Sequence, residues 1–205
     1  MTSHFLHLAT TPAVSAAQAR YLGRSQVMSG SPPTDRLGDV EREFIESRDS
    51  FYMATVTESG WPYVQHRGGP VGFLRVVADN TLGFADVRGN RQLLSTGNVA
   101  ANDRVALFLM DYPQRSRLKI LGHARVVPAG EDPAMTARLS VKGSTVAERL
   151  FLIEVIAYDW NCPKYITPRY TREQVNEVIV PLQTKIRELE SALAAYHAND
   201  RGLHT

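Results

Sequence analysis

A series of short strand patterns separated by turn residues occupies the middle of the chain, and it constrains the fold more than any other feature. The first, Phe51–Thr57, is followed by the turn Glu58-Ser59-Gly60 and a return strand at Pro62–Arg67. Further strands are predicted at Phe73–Val77, Thr81–Ala85, Arg104–Met110, Leu118–Val127 and Arg149–Tyr158. Six or seven strands, mostly joined by hairpins, predict a mainly β protein: a small antiparallel barrel with helices packed around it.

Helical patterns precede the strands. Thr11 and Pro12 are typical of a helix start, and that helix is predicted to end near Leu22. After a loop, the apolar spacing from Leu37 to Ile45 predicts a second helix. Two shorter helices are predicted within the β region, at Asn90–Thr96 and at Asp132–Leu139.

A long helix is predicted at the C-terminal end. Thr171-Arg172-Glu173-Gln174 forms a capping box, in which the Thr hydroxyl and the Gln amide satisfy opposed backbone donors. The residues that follow show a heptad pattern, with a kink or restart expected at Pro181. This pattern fits either a helix packed on its own barrel or a contact with another subunit. Its apolar positions are Val175, Ile179, Leu182, Ile186, Leu189, Leu193 and Tyr196.

We therefore divide the chain into a helical arm (1–48), a β domain (49–160) and a connector with the last helix (161–205). With 23 Lys and Arg against 21 Asp and Glu, the net charge is +2, which gives no general attraction to nucleic acid or to an anionic membrane. The single cysteine, Cys162, excludes an internal disulfide and a multi-cysteine zinc site. No secretory signal or apolar run of about 18 residues is evident, so we expect a cytoplasmic protein.

Three basic clusters lie near predicted strand ends. Arg88-Gly89-Asn90-Arg91-Gln92 is interpreted as a strand end followed by a helix start at Asn90, where free N–H groups and two arginines suit a phosphate. The second cluster, Arg115, Arg117 and Lys119, shares one strand face, and the third is Gln65-His66-Arg67. Together they could converge on one anion. Taken singly, the Arg88–Gln92 cluster is better explained as a solvated turn, each of the others is compatible with solvent-facing strand residues, and His66 is better explained as a structural histidine.

The order of the strands and four stretches resemble the FMN-binding split barrel of the pyridoxamine 5'-phosphate oxidase-like family. The stretches are PYVQHRGGPVGFLRVV, TLGFADVRGNRQLLSTGN, RVALFLMD and RLKILGHARVV. The resemblance extends roughly from Phe44 to Tyr158 and is closest to a flavin-nucleotide-binding branch whose substrate is not settled. It implies a homodimer with two FMN molecules at the subunit interface.

The resemblance also implies which residues contact the flavin. In chain order, they lie on a strand that lines the flavin and its phosphate, a pair whose backbone meets the ribityl chain and ring edge, and a phosphate loop. Next come a strand that reaches the flavin from the other side and a C-terminal segment from the partner subunit. The residues are, in that order, Gln65, His66 and Arg67; Phe84 and Ala85; Arg88, Asn90, Arg91 and Gln92; Arg117 and Lys119; and Trp160, Asn161 and Lys164.

The chain departs from true pyridoxamine phosphate oxidases at two places. Pro70 stands at or near the family's lysine, and the usual C-terminal phosphate clamp is replaced by WNCPKYITPR and a helix. The expected function is therefore an FMN-dependent oxidoreductase with an unidentified small substrate rather than an oxidase of vitamin B6. Lys119 or Lys164 would stabilise the charge of the reduced ring. The alternatives are a flavin-binding module that stores or senses FMN, and a split barrel that binds a deazaflavin or haem.

Overall fold

The computed structural model describes residues 3–26, 30, 32–89, 91–141, 146–160 and 163–202, with side chains described as far as residue 194. Within these residues seven strands form one antiparallel sheet in the order β2-β1-β5-β6-β7-β4-β3. The predicted mainly β, six- to seven-stranded antiparallel split barrel with flanking helices is confirmed. The strands are β1 Ser50–Val56, β2 Pro62–Gly68, β3 Arg75–Ala78, β4 Thr81–Val87, β5 Arg104–Asp111, β6 Ser116–Pro128 and β7 Ala147–Trp160.

Six α-helices lie in the described part of the chain, and capping groups fix several of their ends. They are α1 Ser3–Ala9, α2 Pro12–Leu22, α3 Asp39–Glu46, α4 Leu94–Ala101, α5 Pro133–Leu139 and α6 Arg172–Gly202. The Thr11 hydroxyl accepts from the Val14 amide at the start of α2, and Gly23 ends that helix with a left-handed φ of 67°. At α6, the Thr171 amide donates to Gln174 Oε1 at 2.9 Å and the Gln174 amide to Thr171 Oγ1 at 3.2 Å, which confirms the capping box.

Aromatic side chains from different strands fill the centre of the core. Phe84 and Phe151 stack with ring centroids 5.0 Å apart, and Phe51 meets the edge of Phe84 at 5.4 Å. All three are at most 2% exposed. The core therefore ties β1, β4 and β7 together, since each buried aromatic side chain contributes roughly 1.5–3 kcal/mol relative to an exposed one.

The helix α3 is held on the barrel by polar and aromatic contacts. Trp160 Nε1 donates to Glu41 Oε1 at 2.9 Å, and the Phe44 ring meets the Trp160 ring edge-on at 4.7 Å. Burial raises the pKa of Tyr158 above its usual value, with further increases from the neighbouring Glu41 and Asp35 carboxylates. The end of β7 thus contacts the helix α3 of the N-terminal arm.

Two local expectations were wrong, and a third was wrong in part. The helix predicted at Asn90–Thr96 begins later and extends further, as α4 at Leu94–Ala101. Asn90 itself lies outside the described residues. Arg91 and Leu93 have φ of 62° and 55°, in the left-handed region, so the backbone before Leu94 cannot be helical. Arg115, with φ of 51°, lies in the turn before β6 and does not share a strand face with Arg117. The helix α6 continues through Pro181, so no restart occurs there, and a kink at Pro181 stays a prediction.

The contacts divide the chain into two compact units. The first comprises residues 1–111 and 115–166, and the second comprises Tyr112–Gln114 and residues 167–205. Within the second unit, the Arg169 guanidinium lies 4.9 Å above the centroid of the Tyr112 ring. The three-part division at residues 48 and 160 stays a prediction. Among the described helices, none is both long enough and apolar enough to cross a membrane.

Candidate functional site

A cavity of about 280 Å³ lies in the first unit, between β2, the end of β4 and the segment that leads into α4. Among the described residues that line it are four guanidinium groups and one carboxylate, so the lining is strongly cationic. These residues are Arg67, Arg88, Arg91, Arg149 and Asp86. Aromatic side chains, including Tyr63 and Phe84, line the cavity as well.

Two of the arginines share the one carboxylate at the base of the cavity. Arg67 Nη1 lies 2.7 Å from Asp86 Oδ1, and Arg149 Nε donates to Asp86 Oδ2 at 2.9 Å. The pairing of β4 with β7 places Asp86 opposite Arg149, and alternation along β2 turns Arg67 toward them. All three side chains are at most 20% exposed, so water screens these pairs weakly.

The Arg67 side chain has hydrogen-bonding capacity left over. Its guanidinium lies over the rings of Phe84 and Phe151, at 5.5 and 5.1 Å from their centroids. Its Nε is buried and has no hydrogen-bond partner among the described residues. Leaving such a donor unsatisfied costs about 1–3 kcal/mol.

The rim of the cavity is formed by the segment before α4. Arg88 and Arg91 are exposed there, and two non-glycine residues, Arg91 and Leu93, adopt left-handed backbone conformations within three positions. Strain of this kind costs about 1–3 kcal/mol per residue and is concentrated at functional sites. With this backbone conformation the Arg91 side chain lines the cavity, and the first turn of α4 begins beside the cavity.

The position of α4 is fixed by hydrogen bonds to the sheet. Buried Ser95 donates its hydroxyl to Gln65 Oε1 at 2.9 Å, and Asn98 Nδ2 donates to Thr55 Oγ1 at 2.9 Å. Ser95 and Thr96, in the first turn of the helix, line the cavity. The partial positive charge of a helix N-terminus therefore adds to that of the arginines. The arrangement is suited to a multiply charged anion such as a phosphate ester.

Several predicted residues meet at this cavity. His66 borders it too, but its ring contacts Tyr52, with centroids 5.5 Å apart, and lies on the opposite strand face from Gln65 and Arg67. Asn90 and Asn161 lie outside the described residues. The predicted residues that line the cavity are Gln65, His66, Arg67, Phe84, Ala85, Arg88, Arg91 and Gln92.

The remaining predicted residues lie elsewhere in the chain. Lys119 lines a second, apolar cavity of about 400 Å³; its Nζ is 2.5 Å from Asp159 Oδ2 and 4.6 Å from the centroid of the Phe5 ring. The Arg117 guanidinium lies 5.4 Å from the Phe108 ring centroid. Lys164 Nζ lies 5.5 Å from the Tyr165 ring centroid. Within one chain, the cluster at Gln65–Arg67 and the cluster at Arg88–Gln92 therefore meet at the first cavity, and the cluster with Arg117 and Lys119 does not join them. Contact of a ligand with Arg117, Lys119, Trp160 or Lys164 stays a prediction.

Sequence reasoning missed Asp86, Arg149 and Ser95. Asp86 and Arg149 are 63 residues apart and become partners only because β4 pairs with β7. The one local signal was alternation: Asp86 follows Phe84 at a spacing of two, so the two side chains share a strand face.

A family model described as pyridoxamine 5'-phosphate oxidase matches residues 37–157. Solved structures with similar folds include HupZ of Group A Streptococcus, at 16% identity and a TM-score of 0.48 over 60% of this chain and 91% of that one. A putative pyridoxamine 5'-phosphate oxidase from Lactobacillus delbrueckii has 18% identity and a TM-score of 0.47 over 60% of this chain and 93% of that one. An FMN-binding protein from Syntrophomonas wolfei has 12% identity and a TM-score of 0.42 over 59% of this chain and 83% of that one. No curated protein is detectably similar to the chain.

Proposed function

The chain belongs to the pyridoxamine 5'-phosphate oxidase family, and from this premise we propose that it binds FMN in the cationic cavity and acts as an FMN-dependent oxidoreductase on a small molecule. The observation that carries the proposal is the charge of the cavity: four guanidinium groups face one carboxylate among the described lining residues. The phosphate of FMN is an anion that such a lining would hold.

The residues present fit the phosphate group of FMN. Arg88 and Arg91 at the rim can donate to its oxygens, and Arg67 and Arg149 add positive charge beneath them. Asp86 keeps Arg67 and Arg149 oriented without neutralising the cavity, because it carries one charge against their two. When bound, FMN supplies hydride transfer, and the protein supplies position and electrostatics.

We propose further that the substrate is not pyridoxamine phosphate. The amide of Phe73 donates to the Pro70 carbonyl at 3.0 Å, so the backbone turns tightly where the family has its lysine. A Cβ on Gly69 would lie 2.7 Å from the Phe73 ring, so the turn leaves no room for a side chain at this position. This segment offers no cationic side chain between Gly68 and Leu74 for a substrate phosphate.

We also propose that a second copy of the chain covers the outer apolar face, formed by Tyr52, Ala54, Val64, Ala106, Phe108 and Leu121 around the second cavity. Tyr52 and Val64 are 41% and 59% exposed there. The resemblance to the family implies homodimers with composite flavin sites. The C-terminal segment with Trp160, Asn161 and Lys164 would then contact the partner's flavin, and Arg117 and Lys119 would reach a flavin from the other side. Light scattering should give about twice the chain mass of 22.8 kDa, and a monomer with flavin bound would contradict this.

The test of FMN binding is reconstitution. Purified protein is incubated with excess FMN, desalted and examined by visible absorption, and the flavin is then released by heating and identified. We expect a yellow protein that releases FMN. A correctly folded protein that stays colourless would contradict the proposal. Transfer of electrons from NAD(P)H through the yellow protein to small acceptors would support an oxidoreductase, whereas a tightly bound flavin that NAD(P)H or dithionite reduces without onward transfer would indicate a storage or sensing module.

A further inference from the structure

The helix α6 carries an apolar stripe that is exposed in the single chain. Its residues recur at alternating spacings of four and three, and each is 40–58% exposed; they are Val175, Ile179, Leu182, Ile186, Leu189 and Leu193. A stripe with this period marks the narrow seam of a coiled coil rather than the broader face of a helix buried in a globular core. The stripe therefore indicates that α6 packs against another helix.

The identity of the residues along the stripe indicates the number and direction of the helices. Counting in heptads places Ile179, Ile186 and Leu193 at position a, and Val175, Leu182 and Leu189 at position d. The four central layers therefore have isoleucine at a and leucine at d, a combination that favours two parallel strands. Pro181 falls at position c, away from the seam, so it does not interrupt the apolar contact.

The charges beside the seam are complementary for the same arrangement. Lys185 occupies position g, and Glu190, five residues later, occupies position e of the next heptad. In a parallel pair, g of one helix faces the following e of the other, so Lys185 would face Glu190 of the second copy in two symmetric pairs. Within one chain, Lys185 Nζ instead lies 3.1 Å from Glu188 Oε2 at the surface, both side chains being at least 60% exposed.

We propose that α6 forms a parallel two-stranded coiled coil with α6 of a second copy of this chain, with residues 175–193 at the seam. The pairing gives the protein a dimerisation element of its own outside the barrel. It requires neither flavin nor the cationic cavity, so its failure would leave the proposed function untouched.

Cysteine cross-linking of the full-length protein tests the pairing and its direction. In a Cys162→Ser background, Leu182→Cys and Leu189→Cys each place a thiol at the seam, while Ser191→Cys places one on the outer face at position f. Under mild oxidation, both seam variants should form disulfide dimers at least about tenfold faster than Ser191→Cys. Equal rates for all three would overturn the proposal. Slow cross-linking of both seam variants would indicate either no pairing or antiparallel pairing, in which position d faces position a of the other helix, and would also overturn it.

A charge exchange tests the same proposal with variants that keep the seam intact. Lys185→Glu and Glu190→Lys each place like charges opposite one another and should slow cross-linking of Leu189→Cys by roughly three- to tenfold. The double variant restores opposite charges across the seam and should recover the original rate. The exchange cannot restore the Lys185–Glu188 pair within one chain, so recovery reports on contact between copies. A double variant as slow as the singles would overturn the proposal.

Discussion

The Asp86 carboxylate is shared by two guanidinium groups at the base of the cavity. Arg67 Nη1 lies 2.7 Å from one of its oxygens, and Arg149 Nη2 lies 2.9 Å from the other. A single residue thus ties β2 to β4 and β7, and it also orients two of the four cations that the proposed phosphate site requires.

Asp86→Asn should destabilise the fold, because it leaves two weakly exposed arginines without their shared charge. We expect a loss of about 2–4 kcal/mol in the free energy of unfolding, below the full cost of a completely buried pair since some water reaches the site. Urea denaturation measures it. The matched control is Glu148→Gln: that carboxylate contacts the same Arg149 at 3.0 Å but is 37% exposed, so its loss should cost under about 0.5 kcal/mol. Equal effects of the two variants would contradict this account of the base of the cavity.

At the scale of elements, the strand β6 changes register against β7 between Leu121 and Gly122. The irregularity brings the β7 backbone so close that a Cβ on Gly122 would collide with the Glu154 carbonyl oxygen. Because a backbone atom cannot move aside as a flexible side chain can, this position requires glycine.

Gly122→Ala should therefore destabilise the protein by about 2–3 kcal/mol, at the upper end of the cost of overpacking. Gly97→Ala is the control with the same chemical change: Gly97 lies inside α4, and a Cβ there meets nothing within 4 Å. Helix propensity predicts a gain of about 0.5–1 kcal/mol for that variant. Equilibrium unfolding measures the free energy of unfolding of both variants. A Gly122→Ala variant as stable as the wild type would contradict this account, because it would show that β6 and β7 can move apart to accommodate a Cβ.

Most elements could be predicted from the sequence because their signals are local. The hairpin β1–β2, the caps of α2 and α5, and the capping box of α6 all depend on residues a few positions apart. The start of α4 could not, because Asn90 and Arg91 look like a helix start, whereas Arg91 and Leu93 adopt left-handed conformations. Nor could the meeting of Asp86 with Arg149, which depends on the pairing of distant strands.

At the scale of the whole molecule, a nearly neutral chain concentrates positive charge at one place. The net charge is +2, yet the cationic cavity gathers four arginines from three parts of the sequence around one carboxylate. Concentration of charge in a chain that is balanced overall indicates a specific small anion rather than a general affinity for polyanions. The phosphate of FMN is therefore expected to supply a large part of the binding energy.

The most direct test of this claim compares FMN with riboflavin, which lacks the phosphate. Titration by flavin fluorescence should show that wild-type protein binds FMN at least about a hundredfold more tightly, taking two charge-assisted hydrogen bonds at roughly 1.5–3 kcal/mol each. Replacing both Arg88 and Arg91 by Ala should remove most of that preference while riboflavin binding and folding stay unchanged. Arg187→Ala, on the exposed helix α6, serves as the control and should preserve it. Equal affinities for FMN and riboflavin in the wild type, or equal losses for both in the double variant, would contradict the assignment of the cavity as a phosphate site.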